Sequence, residues 1–177
     1  MKFTAALILI GLTASVCAAE PAESECPNPK KLRGLCMYVG DREKDREPQG
    51  RYVWKYQRKI LEAACVDVEK DDRKTVAEKV AKVWNENENT LVCNNTRFDV
   101  INGSVIKYAV NMKFDEFILD MAEWKVNLNK VDQFDQRTVL DYVEYQMERM
   151  KGTPSELILK NYYRILRDAG ARHKREL

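Results

Sequence analysis

The stretch that decides the fold covers residues 104–109, which read SVIKYA, and TVLDYV matches it 34 residues later at residues 138–143. Both copies begin with a hydroxyl side chain that can cap a helix, and apolar residues follow at helical spacing. A short helix of this kind cannot bury its apolar face alone. The recurrence at this spacing therefore predicts helix pairs that stack on their neighbours.

A second helix is predicted after each of these short helices. One covers residues 114–124. The other begins at TPSE, residues 153–156, with threonine at the N-cap and proline at the first helical position, and it stops at Gly170, a common left-handed C-terminal residue. An apolar stripe over residues 52–64, and a helix capped at residues 71–72, predict an earlier pair. Since no stretch shows sustained alternation of apolar and polar residues, the predicted fold class is all-α.

The second copy and its continuation resemble the ankyrin repeat. Thr-x-Leu-x-x-Val opens a helix at residues 138–143, and Leu-x-x-Ala-Gly-Ala ends the next one at residues 166–171. Asn-x-x-Asp at residues 129–132 is similar to the link that enters the next finger loop. The resemblance covers residues 52–177 and is closer in the second half. It implies a short stack of about three ankyrin-like helix pairs, with a general helical bundle as the alternative.

The sequence also departs from the ankyrin pattern. Gln136 stands where the finger usually has glycine, and Val139 and Asp141 replace the proline and the histidine of the consensus. These differences fall on the finger and on the start of the helix that follows it.

The N-terminus predicts export. Lys2 precedes an apolar run over residues 3–12, and small residues follow it. This order is typical of a secretory signal peptide, here residues 1–19. The run is too short to span a bilayer core of about 30 Å, and Val16 disfavours the alternative of a lipid anchor on Cys17.

Two further segments are predicted after the signal peptide. Residues 20–50 form an irregular N-terminal segment, since prolines and glycines punctuate it. Apolar residues from Leu32 to Val39 predict a short helix or turn within it that packs on the domain. Residues 51–177 form the ankyrin-like helical domain.

Four cysteines remain after removal of the signal peptide: Cys26, Cys36, Cys65 and Cys93. An even number in an exported chain predicts disulfide bonds. Three pairings are open, and the favoured one joins Cys26 to Cys36 and Cys65 to Cys93. No two of these cysteines have the close spacing of zinc ligands.

Charge and composition reduce the number of functional classes to which the protein could belong. The net charge is +2, with basic and acidic residues interleaved, which argues against nucleic acid as a partner. His173 is the only histidine, which removes most metal and catalytic-triad chemistry. We therefore expect no cofactor, no metal and no catalytic residue. The alternative is a small hydrolase that uses paired carboxylates, such as Asp71 with Asp72, Asp115 with Glu116, or Asp132 with Asp135.

The resemblance to ankyrin repeats implies a protein partner, contacted by the finger loops and the exposed side of the first helices. The candidate contact residues by position are Phe98, Asp99, Asn102, Gln133, Phe134, Asp135, Gln136 and Arg137. Burial of both phenylalanines under the loops is the alternative. The predicted function is that of an immunity protein that binds and inhibits a secreted toxin. A periplasmic chaperone or accessory factor for an exported enzyme is the rival.

The predicted compartment is a bacterial periplasm. Sequons at Asn94 and Asn102 matter only in a eukaryotic secretory pathway. Residues 174–177, KREL, are similar to an ER-retrieval signal, with arginine in place of aspartate. A secreted or ER-luminal protein is therefore the alternative. His173 and the residues after it are otherwise predicted to form a frayed, charged tail.

Overall fold

The structure is a computed structural model that describes residues 26–47, 50–94 and 103–177. The α-helices of this part are α1 Leu35–Asp41, α2 Lys55–Ala63, α3 Arg73–Asn87, α4 Val105–Met112, α5 Asp115–Glu123, α6 Val139–Arg149 and α7 Pro154–Asp168. The strands are β1 Lys44–Arg46, β2 Tyr52–Trp54, β3 Val92–Cys93 and β4 Gly103–Ser104. Short 3₁₀ helices cover Pro29–Leu32 and Lys174–Glu176. The chain is thus mostly helical. The predicted all-α class is correct only in part, because two small antiparallel sheets accompany the helices.

Capping side chains determine where three of the helices begin. The Asp72 carboxylate accepts a hydrogen bond from a backbone N–H in the first turn of α3, and the hydroxyls of Ser104 and Thr138 do the same for α4 and α6. At α6, the Asp141 carboxylate also accepts from the backbone N–H of Thr138, which completes a capping box. The predicted helix starts at these positions are confirmed.

The start of α7 differs from the prediction in its detail. Thr153 occupies the predicted N-cap position, but its hydroxyl donates to the Met150 carbonyl at 2.7 Å and forms no capping hydrogen bond to the first turn. The helix begins at Pro154, whose ring suits the first helical position. Gly170 follows the helix with φ +95°, as the prediction of a left-handed residue requires.

Helices α4 to α7 pack as one block. Helix α4 contacts both α5 and α6, and α7 contacts both α5 and α6. Helix α2 contacts α3, while α1 lies against α4 and α2. The largest buried side chains are aromatic or long and come from several of these helices, and they include Tyr56, Tyr108, Phe114, Phe117 and Tyr162. Each of these rings removes a large apolar area from water and so contributes to the hydrophobic stabilisation of the fold.

The two small sheets form at positions where the sequence does not predict strands. Residues 52–54, predicted as the first part of a helix, form β2 and pair with β1, with Lys44 opposite Trp54. The Lys44 ammonium lies 3.8 Å from the centre of the Trp54 ring. Adjacent Tyr, Val and Trp residues favour a strand where a partner strand is present. The second sheet pairs β3 with β4, with Val92 opposite Ser104.

The favoured disulfide pairing is wrong. Cys26 is bonded to Cys65, and Cys36 is bonded to Cys93, with Cα atoms 5.9 and 5.6 Å apart. The chain after Cys26 lies along the end of α2, where the backbone N–H of Asn28 donates to the Ala63 carbonyl at 2.8 Å. Helix α1 packs on α4, whose start adjoins β3, so Cys36 lies next to Cys93. Tertiary packing, and not closeness along the chain, selects the partners.

The contact between α1 and α4 depends on a glycine. A Cβ atom on Gly40 would lie 2.5 Å from the Tyr108 hydroxyl oxygen, and Tyr108 is buried. We expect Gly40→Ala to lower the free energy of unfolding by about 2 kcal/mol, because an added methyl group forces a packed side chain to move. Urea unfolding followed by circular dichroism measures this loss. The double variant Gly40→Ala/Tyr108→Phe, which removes the nearest atom, should regain part of the lost stability; no recovery would contradict the steric explanation.

Candidate protein-binding site

The candidate site is the finger, defined here as residues 127–137, which joins α5 to α6. Two backbone hydrogen bonds close the turn over residues 132–137. The N–H of Asp132 donates to the Arg137 carbonyl at 3.0 Å, and the N–H of Gln136 donates to the Asp132 carbonyl at 2.9 Å. Gln136 has φ +58°, so it adopts the left-handed conformation for which the ankyrin pattern has glycine. The finger therefore keeps a tight turn despite this replacement.

A buried lysine holds the base of the finger. Lys107 of α4 has only 1% of its surface exposed. Its Nζ lies 2.6 Å from Asp135 Oδ1 and 3.3 Å from Asp132 Oδ2. Its Nζ also lies 5.7 Å from the centre of the Tyr142 ring. A buried ammonium requires such partners, because its desolvation is otherwise costly.

The two finger carboxylates are also bonded to the backbone. Asp132 Oδ2 accepts from the N–H of Ser104 at 2.7 Å, and its Oδ1 accepts from the N–H of Phe134 at 3.0 Å. Asp135 Oδ1 accepts from the N–H of Arg137 at 3.1 Å. Asp132 thus joins the finger directly to the N-cap of α4. These bonds hold the lower part of the finger in one conformation.

Tyr142, which lies beside Lys107, has a raised pKa because it is buried. Burial, with a smaller contribution from the nearby Asp135 charge, raises the pKa of Tyr142 to about 12. The Gln146 amide donates to the Tyr142 hydroxyl at 2.6 Å and opposes this rise. The Tyr142 hydroxyl is therefore neutral at physiological pH and acts as a hydrogen-bonding group.

The predicted contact residues of the finger occupy two environments. Gln133, Phe134 and Gln136 are exposed, with 44% of the Phe134 surface accessible. Asp135 instead faces Lys107, and the Arg137 guanidinium carbon lies 4.1 Å from the centre of the Tyr145 ring. Phe134 is therefore not buried under the loop. The remaining predicted contact residues, Phe98, Asp99 and Asn102, lie outside the described residues.

Lys107 is the site residue that sequence reasoning missed. It lies inside the apolar stretch of α4, where both neighbouring residues are buried. The signal in the sequence was a lysine within an apolar stretch, together with two aspartates in the loop between α5 and α6. Its importance depends on the fold, because Asp132 and Asp135 come near it only when the finger returns to α4.

The C-terminal tail is part of the fold, so the prediction that it frays is wrong. His173 is 2% exposed; its Nδ1 lies 2.8 Å from Asp141 Oδ1, and its Nε2 lies 3.0 Å from the Tyr163 hydroxyl. Glu176 forms a two-point ion pair with Arg167. Burial would raise the pKa of Asp141, but hydrogen bonds from the backbone N–H groups of Lys174 and Thr138, and from His173, hold it below its usual range. Long-range contacts therefore order the tail.

Of the acids in the pairs outside the finger, Asp71, Asp72 and Asp115 have partners within the fold. Asp72 caps α3, and Asp71 binds the Lys79 ammonium at 2.6 Å. Asp115 accepts a short hydrogen bond from the Tyr162 hydroxyl, while Glu116 is exposed. Within residues 26–47, 50–94 and 103–177, no group of three or more His, Cys, Asp or Glu side chains could hold a metal ion.

Comparison with protein-family models, with curated proteins and with solved structures finds no match to this chain. In the part of the chain that the structure describes, none of the helices has the length and apolar character needed to cross a membrane.

Proposed function

We propose that this chain is an exported protein-binding module of stacked ankyrin-like helix pairs, and that it serves as an immunity protein. In this role it binds a toxin that acts in the periplasm and covers the active site of that toxin. The contact is made by the finger and by the exposed side of α6 next to it.

The observation that carries this proposal is the way in which the finger is held. Buried Lys107 fastens Asp132 and Asp135 at its base, while Gln133 and Phe134 are exposed at its tip. A loop that is already ordered loses little conformational entropy when it binds. An exposed aromatic side chain on such a support is typical of an interface anchor.

The packing of α4 to α7 supports the ankyrin-like part of the proposal. Helix α4 contacts α6, and α5 contacts α7, so the first helices of the two pairs lie together and so do the second helices. Stacked repeats that contact only their neighbours are expected to place like helices beside each other. The recurrence of SVIKYA and TVLDYV gives the same correspondence of α4 with α6.

Two features support export. Both disulfide bonds suit an oxidising compartment, where such bonds form and persist. The order of charged, apolar and small residues at the N-terminus supports a signal peptide, although residues 1–19 lie outside the described residues.

The test begins with the neighbouring genes. We expect one of them to encode an exported lipase, amidase or nuclease, and we expect a tagged form of this chain to recover that enzyme from the periplasm as a stable, inactive complex. If the enzyme is recovered with its activity unchanged or raised, the chain is an accessory factor. If no stable partner is recovered, the immunity proposal fails. Hydrolysis by the chain itself, lost in Asp71→Asn/Asp72→Asn, would instead support the hydrolase.

The finger itself is tested by Phe134→Ala/Arg137→Ala. We expect this double variant to weaken binding of the recovered enzyme by about thirtyfold, because an anchor side chain contributes about 2 kcal/mol or more. Calorimetric titration measures the affinity, and the urea midpoint should stay near that of the wild type, since Phe134 is exposed. The matched control on α7 is Leu157→Ala/Arg164→Ala, which also removes one exposed apolar and one exposed basic side chain. Unchanged affinity in the finger variant would show that the finger is not the interface.

A further inference from the structure

Two arginines lie over one exposed tyrosine beside the finger. The guanidinium carbon of Arg137 is 4.1 Å from the centre of the Tyr145 ring, and that of Arg149 is 5.6 Å from it. Tyr145 and Arg149 are one helical turn apart on the exposed side of α6, and Arg137 directly precedes the N-cap Thr138. Tyr145 is 39% exposed, so this group is open to solvent. We call these three residues the arginine–tyrosine cluster.

Within the described part of the chain, neither guanidinium group forms a hydrogen bond to a carboxylate, although Asp135 lies within ion-pair distance of Arg137. Arg149 has no hydrogen bond or ion pair there, and the nearest carboxylate oxygen to Arg137, Asp135 Oδ2, is 3.8 Å away. This distance is longer than a hydrogen bond. The other oxygen of Asp135 already lies 2.6 Å from the Lys107 ammonium. The guanidinium N–H groups of both arginines are therefore not engaged by a carboxylate hydrogen bond in that part of the chain.

Glu144 and Glu148 make no ion pair with the arginines of the cluster. Glu148 lies 3.9 Å from the Lys151 ammonium, and Glu144 lies 3.9 Å from Nδ1 of His173. Neither carboxylate comes within ion-pair distance of Arg137 or Arg149. The Lys174 ammonium, bonded to Gln136 Oε1 at 3.3 Å, adds a further positive charge close to the finger.

Stacking prepares the guanidinium groups for a carboxylate. A guanidinium that lies over an aromatic ring keeps its planar edge of N–H donors free. Such an edge matches the two oxygens of a carboxylate, and paired hydrogen bonds of this kind are among the strongest in proteins. A lysine ammonium at the same position would act only as a point charge.

We propose that the arginine–tyrosine cluster is a subsite for an aspartate or glutamate side chain of a protein partner. This inference rests on the proposed protein-binding function and names the chemistry of the partner: an acidic surface segment that extends from the finger along α6. The two arginines bind the carboxylate, and Tyr145 holds their planes in place.

A titration that needs no identified partner tests the subsite. The probe is the peptide N-acetyl-Glu-Phe-Glu-amide. The uncharged peptide N-acetyl-Gln-Phe-Gln-amide is the control. The Nε–H resonances of the arginines are followed by NMR during each titration. We expect the glutamate peptide to shift the Arg137 and Arg149 signals to saturation, and the glutamine peptide to leave them unchanged. Equal shifts with both peptides, or equal shifts at the exposed Arg33 and Arg73, would overturn the subsite.

Two variants separate stacking from charge. Arg137→Lys/Arg149→Lys keeps both charges, and we expect it to weaken the peptide about tenfold, because an ammonium cannot form the paired hydrogen bonds that a guanidinium makes to a carboxylate. Arg33→Lys/Arg73→Lys is the matched control and should not weaken binding. Tyr145→Leu keeps both arginines and should weaken the peptide by a similar factor. Full affinity in both cluster variants would overturn the proposal.

The two proposals fail in different ways. If no enzyme is recovered, the proposed function fails, while the peptide titration still reports on the cluster. If an enzyme is recovered and Arg137→Lys/Arg149→Lys binds it as tightly as the wild type, the subsite is overturned and the proposed function stands.

Discussion

Joint replacement of Cys36 and Cys93 by alanine should lower the free energy of unfolding by about 4 kcal/mol, because the bond closes a long segment of chain. The two cysteines are 57 residues apart, and their bond joins α1 to β3. Without it, the unfolded chain gains the freedom that the link removes. The Cys26→Ala/Cys65→Ala variant, with a separation of 39 residues, should lose a similar amount. Urea unfolding under oxidising conditions measures both losses.

The pairing itself is tested by counting thiols. In Cys26→Ala/Cys36→Ala, the observed pairing leaves Cys65 and Cys93 without their partners. In the variant without residues 1–19, which include Cys17, we therefore expect two thiols that react with Ellman's reagent when the chain is unfolded but not reduced. The pairing favoured by sequence closeness would leave none, because Cys65 and Cys93 would still be bonded to each other. A count of zero thus refutes the observed pairing.

The second large effect is expected at Lys107. Lys107→Met removes the ammonium and leaves Asp132 and Asp135 without their positive partner. Loss of one member of a buried ion pair costs about 3–5 kcal/mol, and we expect the lower end, about 3 kcal/mol, because the Asp135 side chain is 27% exposed. The measurement is again urea unfolding. Lys74→Met, at a lysine whose side chain is 83% exposed, is the matched control and should change stability by less than about 0.5 kcal/mol.

A further variant shows whether charge is the cause. Lys107→Met/Asp132→Asn/Asp135→Asn removes the whole ionic group, so part of the lost stability should return. Hydrogen exchange at the N–H groups of Phe134 and Arg137, which donate to these carboxylates, reports on the finger alone. We expect faster exchange there in Lys107→Met, beyond that caused by the lower global stability. Exchange that tracks global stability only would show that Lys107 supports the core and does not hold the finger.

Prediction from sequence worked where the physical cause is local. The helix starts at Asp72, Ser104 and Thr138 are set by a side chain that accepts from an N–H in the next turn. Only residues three apart take part, so the pattern is visible along the chain. The prediction for Gly170 is confirmed as well, because glycine adopts the left-handed conformation without a steric penalty.

Prediction failed where distant segments meet. β2 forms because β1 lies beside it, and the cysteines pair as the packing of α1 and α2 places them. His173 is buried because Asp141 and Tyr163, 32 and 10 residues away, bond to its ring. Spacing along the chain carries little information on such encounters.

The two matching stretches SVIKYA and TVLDYV contain features of both kinds: those set by neighbouring residues and those set by contacts between distant segments. Capping and apolar periodicity in these two stretches determine that α4 and α6 form and which faces they bury, since both depend on neighbouring residues. The same stretches contain Lys107 and Asp141, and only the tertiary structure decides what these residues do. Lys107 holds the finger and Asp141 holds the tail because the chain returns to each of them from about 30 residues away.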